Sequence, residues 1–177
     1  MSRLCDRPVI GFAAFSGTGK TTLLTRLVPI LRERGLRIAM VKHAHHRFDV
    51  DQPGKDSYEL RKAGAEQMLI ASRRRWALMC ETPERTDDPK LAELLAHLDT
   101  AQVDLVLVEG FKHERFPKIE LHRPALGHPL LAAEDDSILA VATDAPLAEP
   151  APAVPRLDLN DPAAIADFIA RHLEQAD

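Results

Sequence analysis

Residues 8–22 read PVIGFAAFSGTGKTT, an apolar run that passes directly into a glycine-rich loop and a lysine. A short continuous apolar stretch is what a parallel strand buried on both faces looks like. Helical spacing follows: Leu23, Leu24, Leu27, Ile30 and Leu31 recur on one face, and Gly35 stands where a helix ends. Strand, loop and helix in that order are the context in which G-x-x-x-x-G-K-[ST] wraps a phosphate chain with backbone amides. Ser16, Gly17, Thr18, Gly19, Lys20, Thr21 and Thr22 form the expected phosphate cradle. The glycines let the backbone curl with its N–H groups inward, and the helix N-terminus adds a positive dipole end. Lys20 is suited to the β/γ oxygens, the Thr21 hydroxyl to Mg²⁺, and Thr22 to a nearer phosphate. Ala14 replaces the first glycine of the pattern.

Further apolar runs at 36–42, 67–72, 75–81, 103–108, 138–142 and 156–159 alternate with helical segments. That alternation predicts an α/β fold of the phosphate-loop NTPase class, with a mixed, mostly parallel sheet flanked by helices. The adjacent runs at 67–72 and 75–81, joined at Arg73-Arg74, are the expected antiparallel element. The alternation at 118–122 suggests an exposed edge strand. Helix starts are expected at Asp56, with Glu59 completing a capping box, at Asp88-Pro89, and at Asp161-Pro162. Pro29 should kink the first helix, because it removes one helical hydrogen bond.

The chain has 177 residues, which suits one domain of roughly 100–200 residues. Twenty-three lysines and arginines against 27 acids give a net charge of −4, which argues against bulk nucleic-acid binding. No apolar run reaches the ~20 residues of a membrane span. Cys5 and Cys80 have no metal spacing and read as free thiols of a reducing, cytoplasmic setting.

Three further segments carry possible chemistry. VDLVLVE (103–109) is a buried strand ending in a carboxylate, and Glu109 is the candidate to orient magnesium or its water shell. Asp104 lies at the opposite strand end and is not suited to that role. Residues 43–56 (HAHHRFDVDQPGKD) break all periodicity. This loop either closes over the γ-phosphate, with Asp49 or Asp51 near magnesium and Lys42 or His43 near phosphate, or binds a transition metal through His43, His45 and His46, or is a solvated loop. Thr143 and Asp144 end another strand. A carboxylate there matches the N1–H and 2-amino donors of guanine, which adenine lacks, although strands also end in aspartate simply to turn. Lys112 and His113 suit either phosphate or a charged surface turn. Arg115 and Arg123 lie in 111–128 without a lid pattern.

Taken together, FSGTGKTTLL (15–24), VKHAHHRFDVDQPGKDSYELRKAGA (41–65), RWALMCETP (75–83), DLVLVEGFKHERFPKIELHR (104–123) and VATDAPL (141–147) resemble the MobB family of molybdopterin-guanine dinucleotide biosynthesis adapter proteins over nearly the whole chain. The resemblance implies a GTP- and Mg²⁺-binding homodimer with slow hydrolysis at most. Its implied partner is MobA, the molybdenum cofactor guanylyltransferase, with molybdopterin as a further possible ligand. Phe15 stands where related deviant phosphate loops carry a lysine, so no lysine reaches across a dimer from that position. The competing reading is a small-molecule kinase or ligase that uses the same nucleotide, since one fold hosts both.

Overall fold

The computed structural model describes residues 4–44 and 48–175. In chain order the elements are β1 (Val9–Ala13), α1 (Lys20–Glu33), β2 (Ile38–Lys42), α2 (Asp56–Lys62), β3 (Gln67–Ala71), β4 (Trp76–Cys80), α3 (Leu91–Leu95), β5 (Leu105–Glu109), β6 (Lys118–His122), β7 (Ile138–Thr143), β8 (Arg156–Asp158) and α4 (Pro162–Glu174). They fall into two compact units. One comprises the chain up to His43 and from Lys90 onward; the other runs from Ala44 to Pro89.

In the first unit six strands pair in the order β2-β5-β1-β6-β7-β8, all in parallel. Alternate side chains on each strand point to opposite faces, so the sheet sorts its residues between two cores. Ile10, Phe12, Leu105, Leu107, Ile119 and Leu121 pack under α1 and α4, against Leu27, Leu31, Ile165 and Ile169. Val9, Val106 and Val108 pack on the other face with Leu91 and Leu95 of α3. This double coverage is why β1 and β5 are continuously apolar.

Local signals set the ends of the long helices. Past Glu33 the Gly35 N–H donates to the Arg32 carbonyl at 2.9 Å and the Leu36 N–H to Leu31 at 3.2 Å, a Schellman closure with Gly35 at φ 89°. Asp161 caps α4, its Oδ1 accepting from the Ala163 and Ala164 N–H groups, both at 3.0 Å. Helix α1 runs through Pro29.

Three expectations are corrected. First, β6 is no edge strand: it lies between β1 and β7 and is buried throughout. Its alternation arises because its polar face is satisfied inside the protein. Lys118 pairs with Asp135 at 2.8 Å, and Glu120 accepts from the Leu131 and Ala132 N–H groups, each at 2.8 Å. Burial raises the Glu120 pKa, and the two amide bonds oppose that shift. Second, α3 starts at Leu91 rather than after Asp88-Pro89, and its first N–H donates to Glu114 Oε1 at 2.9 Å. Third, α2 has no capping box, because Lys55 is its N-cap and Glu59 instead accepts from the Gly54 N–H at 3.3 Å.

The second unit contains α2 and the antiparallel ribbon β3–β4, which forms a sheet of its own. Leu69 opposes Leu78 in this ribbon, and both are exposed, as is Trp76. Cys5 and Cys80 are both free thiols. No helix among the described residues is long and apolar enough to cross a membrane.

Leu27 is fully buried between α1 and the sheet. Leu27→Ala should therefore destabilise the protein by about 2–5 kcal/mol, through lost transfer energy and a residual cavity. A urea denaturation midpoint shift checks this.

Candidate functional site

The phosphate loop leaves the C-terminal end of β1, and its neighbours β5 and β6 run parallel on either side. Open parallel sheets bind ligands outside these strand ends, where the chain departs in opposite directions. Gly17 and Gly19 have φ of 82° and 94°, a conformation that L side chains rarely adopt. Gly19 is the N-cap of α1, and its carbonyl accepts the first helical bond from the Leu23 N–H at 2.9 Å.

Lys20 folds back over the loop. Its Nζ donates to the carbonyls of Ala14 at 3.1 Å and Phe15 at 3.4 Å. The buried Thr18 hydroxyl donates to the same Phe15 carbonyl at 2.9 Å. Ser16, Thr21 and Thr22 are exposed and open to a ligand. Burial lowers the Lys20 pKa, Glu109 opposes that shift, and Lys42 and Lys112 reinforce it. Three lysines and one carboxylate thus act on one another at this end of the sheet, an arrangement that suits a polyanion and a divalent cation.

Glu109 ends β5 beside Lys42, its partner in the sheet register, and accepts from Lys42 Nζ at 2.6 Å. The Glu109 carbonyl accepts from the His43 N–H at 2.9 Å. Asp104, at the other end of this segment, accepts from the Arg37 backbone N–H at 2.9 Å and from its guanidinium at 2.7 Å. That hydrogen bonding holds the Asp104 carboxyl well below its ordinary range. It ties the far ends of β2 and β5 together.

Past Glu109 the chain turns abruptly. Gly110 has φ 101° and Phe111 φ 52°. The Phe111 ring stacks on His43 with centroids 4.8 Å apart. Lys112 Nζ sits 4.6 Å from the Phe15 ring centroid, and Phe15 stacks on His128 at 4.5 Å.

Thr143 and Asp144 follow a different pattern. The Thr143 hydroxyl donates to the Ala145 carbonyl at 2.8 Å, as a turn residue does. Asp144 Oδ2 accepts from Arg123 Nη1, and Arg123 Nε donates to the Thr18 carbonyl at 2.9 Å. Nothing local in the sequence assigns Arg123 a role, because no short-range signal shows that the ends of β1, β6 and β7 lie side by side. Burial lowers the pKa of the adjacent His122, Asp144 opposes the shift, and His128 adds to it.

Asp49 and Asp51 belong to the second unit, where both ion-pair with the buried Arg61 at 2.6 and 2.7 Å. Glu81 is a third partner of Arg61. The magnesium role considered for Asp49 and Asp51 thus meets carboxylates already engaged by a guanidinium. His45 and His46 lie outside the described residues. Among the described residues, no group of three or more His, Cys, Asp or Glu side chains is placed to hold a metal.

A family model described as Molybdopterin guanine dinucleotide synthesis protein B matches residues 9–144. The chain belongs to the MobB family. It is 51% identical over 169 residues to the molybdopterin-guanine dinucleotide biosynthesis adapter protein of Escherichia coli (strain K12), covering 95% of this chain and 94% of that one. It is 45% identical to the protein of the same description from Haemophilus influenzae, covering 94% of this chain and 89% of that one. A crystal structure of molybdopterin-guanine biosynthesis protein B superposes with a TM-score of 0.69 at 28% identity, covering 93% of this chain and 99% of that one. The match to the family model spans the phosphate loop, Glu109 and Asp144 alike.

A Cβ placed on Gly110 would lie 2.7 Å from the His43 Cβ, at a φ that L residues avoid. Gly110→Ala should destabilise the fold by about 1–2 kcal/mol from backbone strain alone and displace the adjoining Glu109. The check is a lowered denaturation midpoint, accompanied by weaker Mg²⁺-dependent nucleotide binding.

Proposed function

We propose that this chain binds GTP with Mg²⁺ at the phosphate loop and serves as a cytoplasmic adapter in the attachment of a guanine nucleotide to molybdopterin. The observation that carries this reading is the Lys20 ammonium folded over the Ala14 and Phe15 carbonyls, under the influence of Glu109, Lys42 and Lys112. An ammonium held this way needs little reorganisation to meet phosphate oxygens. The family membership supports the pathway, since the relatives are named biosynthesis adapter proteins.

In this reading Ser16 to Thr22 hold the triphosphate. Magnesium would be held by the Thr21 hydroxyl and the Glu109 carboxylate, an oxygen donor set that this hard cation favours. The chemistry the ion would supply there is neutralisation of phosphate charge. To hold the ion, Glu109 would give up its bond from Lys42, which would leave Lys42 to the phosphate chain. The Asp144 carboxylate selects guanine over adenine through the acceptor capacity it keeps beside its bond from Arg123. Hydrolysis is slow in this reading, and delivery is the main role.

The acceptor of that delivery is the guanylyltransferase MobA, with molybdopterin as the ligand the two would share. A second copy of this chain is the proposed partner of the β3–β4 ribbon. An isolated two-stranded ribbon is marginal in water, and this one exposes Leu69, Trp76 and Leu78.

Calorimetry tests the site. Lys20→Ala should weaken GTP by up to roughly a hundredfold, from the loss of bonds to a charged group worth up to about 3 kcal/mol. Unchanged affinity would sink the assignment. Chelating Mg²⁺ should weaken GTP for the native chain and much less for Glu109→Gln. Mixing the protein with GTP, Mg²⁺ and molybdopterin, with and without the guanylyltransferase, tests the adapter role. Dinucleotide formed without the partner would overturn it.

A further inference from the structure

The ends of three neighbouring strands, β1, β6 and β7, carry a continuous chain of contacts of which the nucleotide reading uses only Asp144. His122 and Thr143 are register partners on β6 and β7. The next residue on each strand is therefore brought to the same place, and Arg123 and Asp144 pair there. On the other side of β6 lies β1, whose continuation is the phosphate loop. Arg123 Nε reaches into it and donates to the Thr18 carbonyl at 2.9 Å. A Cβ built on Gly19 would come 3.6 Å from Arg123 Nη2, so the guanidinium lies along the loop and not merely at one atom of it.

The Thr18 carbonyl is the hinge of this arrangement. A loop that turns its amides toward phosphate must turn carbonyls away from it, and a buried carbonyl needs a partner. Thr18 is 2% exposed, and Arg123 supplies that partner as a cation. The same peptide unit carries the Gly19 N–H, one of the amides a phosphate loop offers its ligand. A positive donor on the carbonyl end polarises that N–H, since linked hydrogen bonds reinforce one another in a low-dielectric setting. Arg123 has a flexible stem, and Asp144 fixes it from the opposite side.

We infer that Arg123 is a positioning residue for the phosphate loop, and that Asp144 acts on triphosphate affinity through Arg123, independently of the base. This deepens the proposed function and rests on its assignment of a triphosphate to residues 16–22. It also gives Asp144 a second task besides guanine selection, and the two tasks separate experimentally. A ligand without a base feels only the positioning.

The experiment uses the full chain with Mg²⁺ and three probes: inorganic tripolyphosphate, GTP and ATP. Affinities are measured by calorimetry for the native chain, Arg123→Gln, Asp144→Asn and the double variant. Arg123→Gln should weaken all three probes by roughly tenfold, the scale of one lost bond to a charged group. Asp144→Asn should weaken tripolyphosphate in the same direction, although it has no part in holding phosphate. The double variant should bind tripolyphosphate no worse than Arg123→Gln, because residues acting as one unit are non-additive. Arg123→Lys covers the case of a misfolded glutamine variant: it keeps the charge but loses the fork that serves Thr18 and Asp144 together, so tripolyphosphate should still weaken. The inference is overturned if Asp144→Asn leaves tripolyphosphate affinity unchanged while weakening GTP alone, or if the two single losses add. Native protein that binds neither GTP nor tripolyphosphate overturns the nucleotide reading itself, and the inference with it.

Discussion

Everything at the site depends on a strand that has no free face or edge. β1 is hydrogen-bonded to β5 on one side and β6 on the other, with one core above it and another below. A strand so enclosed can release the chain only at its end, and the helix that follows must return over the sheet. The six residues between Ala13 and Lys20 make that reversal. Glycines at 17 and 19 allow it, and the reversal leaves amides gathered at the start of α1. The gathered amides are thus a by-product of burying β1, and side chains from the neighbouring strands surround them.

Those side chains are charged and come from separate stretches of chain. Lys20 comes from the loop, Lys42 and Glu109 from the ends of β2 and β5, Lys112 from the turn after β5, and Arg123 and Asp144 from the ends of β6 and β7. Each cation within this set has an oxygen or an aromatic face beside it. Such a site can hold several like charges close together before its ligand arrives, because local acceptors offset their repulsion. Membership of the MobB family agrees with a chain built around this loop.

How much of this could be read in the sequence followed the range of each interaction. β1, the loop and α1 were legible because their signals are contiguous: an apolar run, glycines and a lysine, then a leucine stripe. The Asp161-Pro162 cap of α4 was legible for the same reason. The start of α3 was not, because Glu114, 23 positions away in sequence, supplies its cap. Nor was the place of β6. Alternation of Lys118, Glu120 and His122 with apolar residues signals a strand with one wet face, and only the fold reveals that Asp135 and the amides of 131 and 132 replace water. Glu109 was legible as an acid at a strand end, but its bond to Lys42 required knowing that β2 and β5 are neighbours.

The polar row on β6 has one more consequence, and it concerns assembly rather than ligands. A strand inserted one residue out of step turns its two faces over. Along Leu105 to Val108 of β5 such an error exchanges one apolar residue for another. For β6 it would drive the Lys118 ammonium and the Glu120 carboxylate toward the leucines of α1 and strip both of their partners. An unpaired buried charge is among the most costly defects a core can hold. The paired charges on β6 therefore penalise a misaligned sheet more steeply than the apolar stretches of its neighbours do.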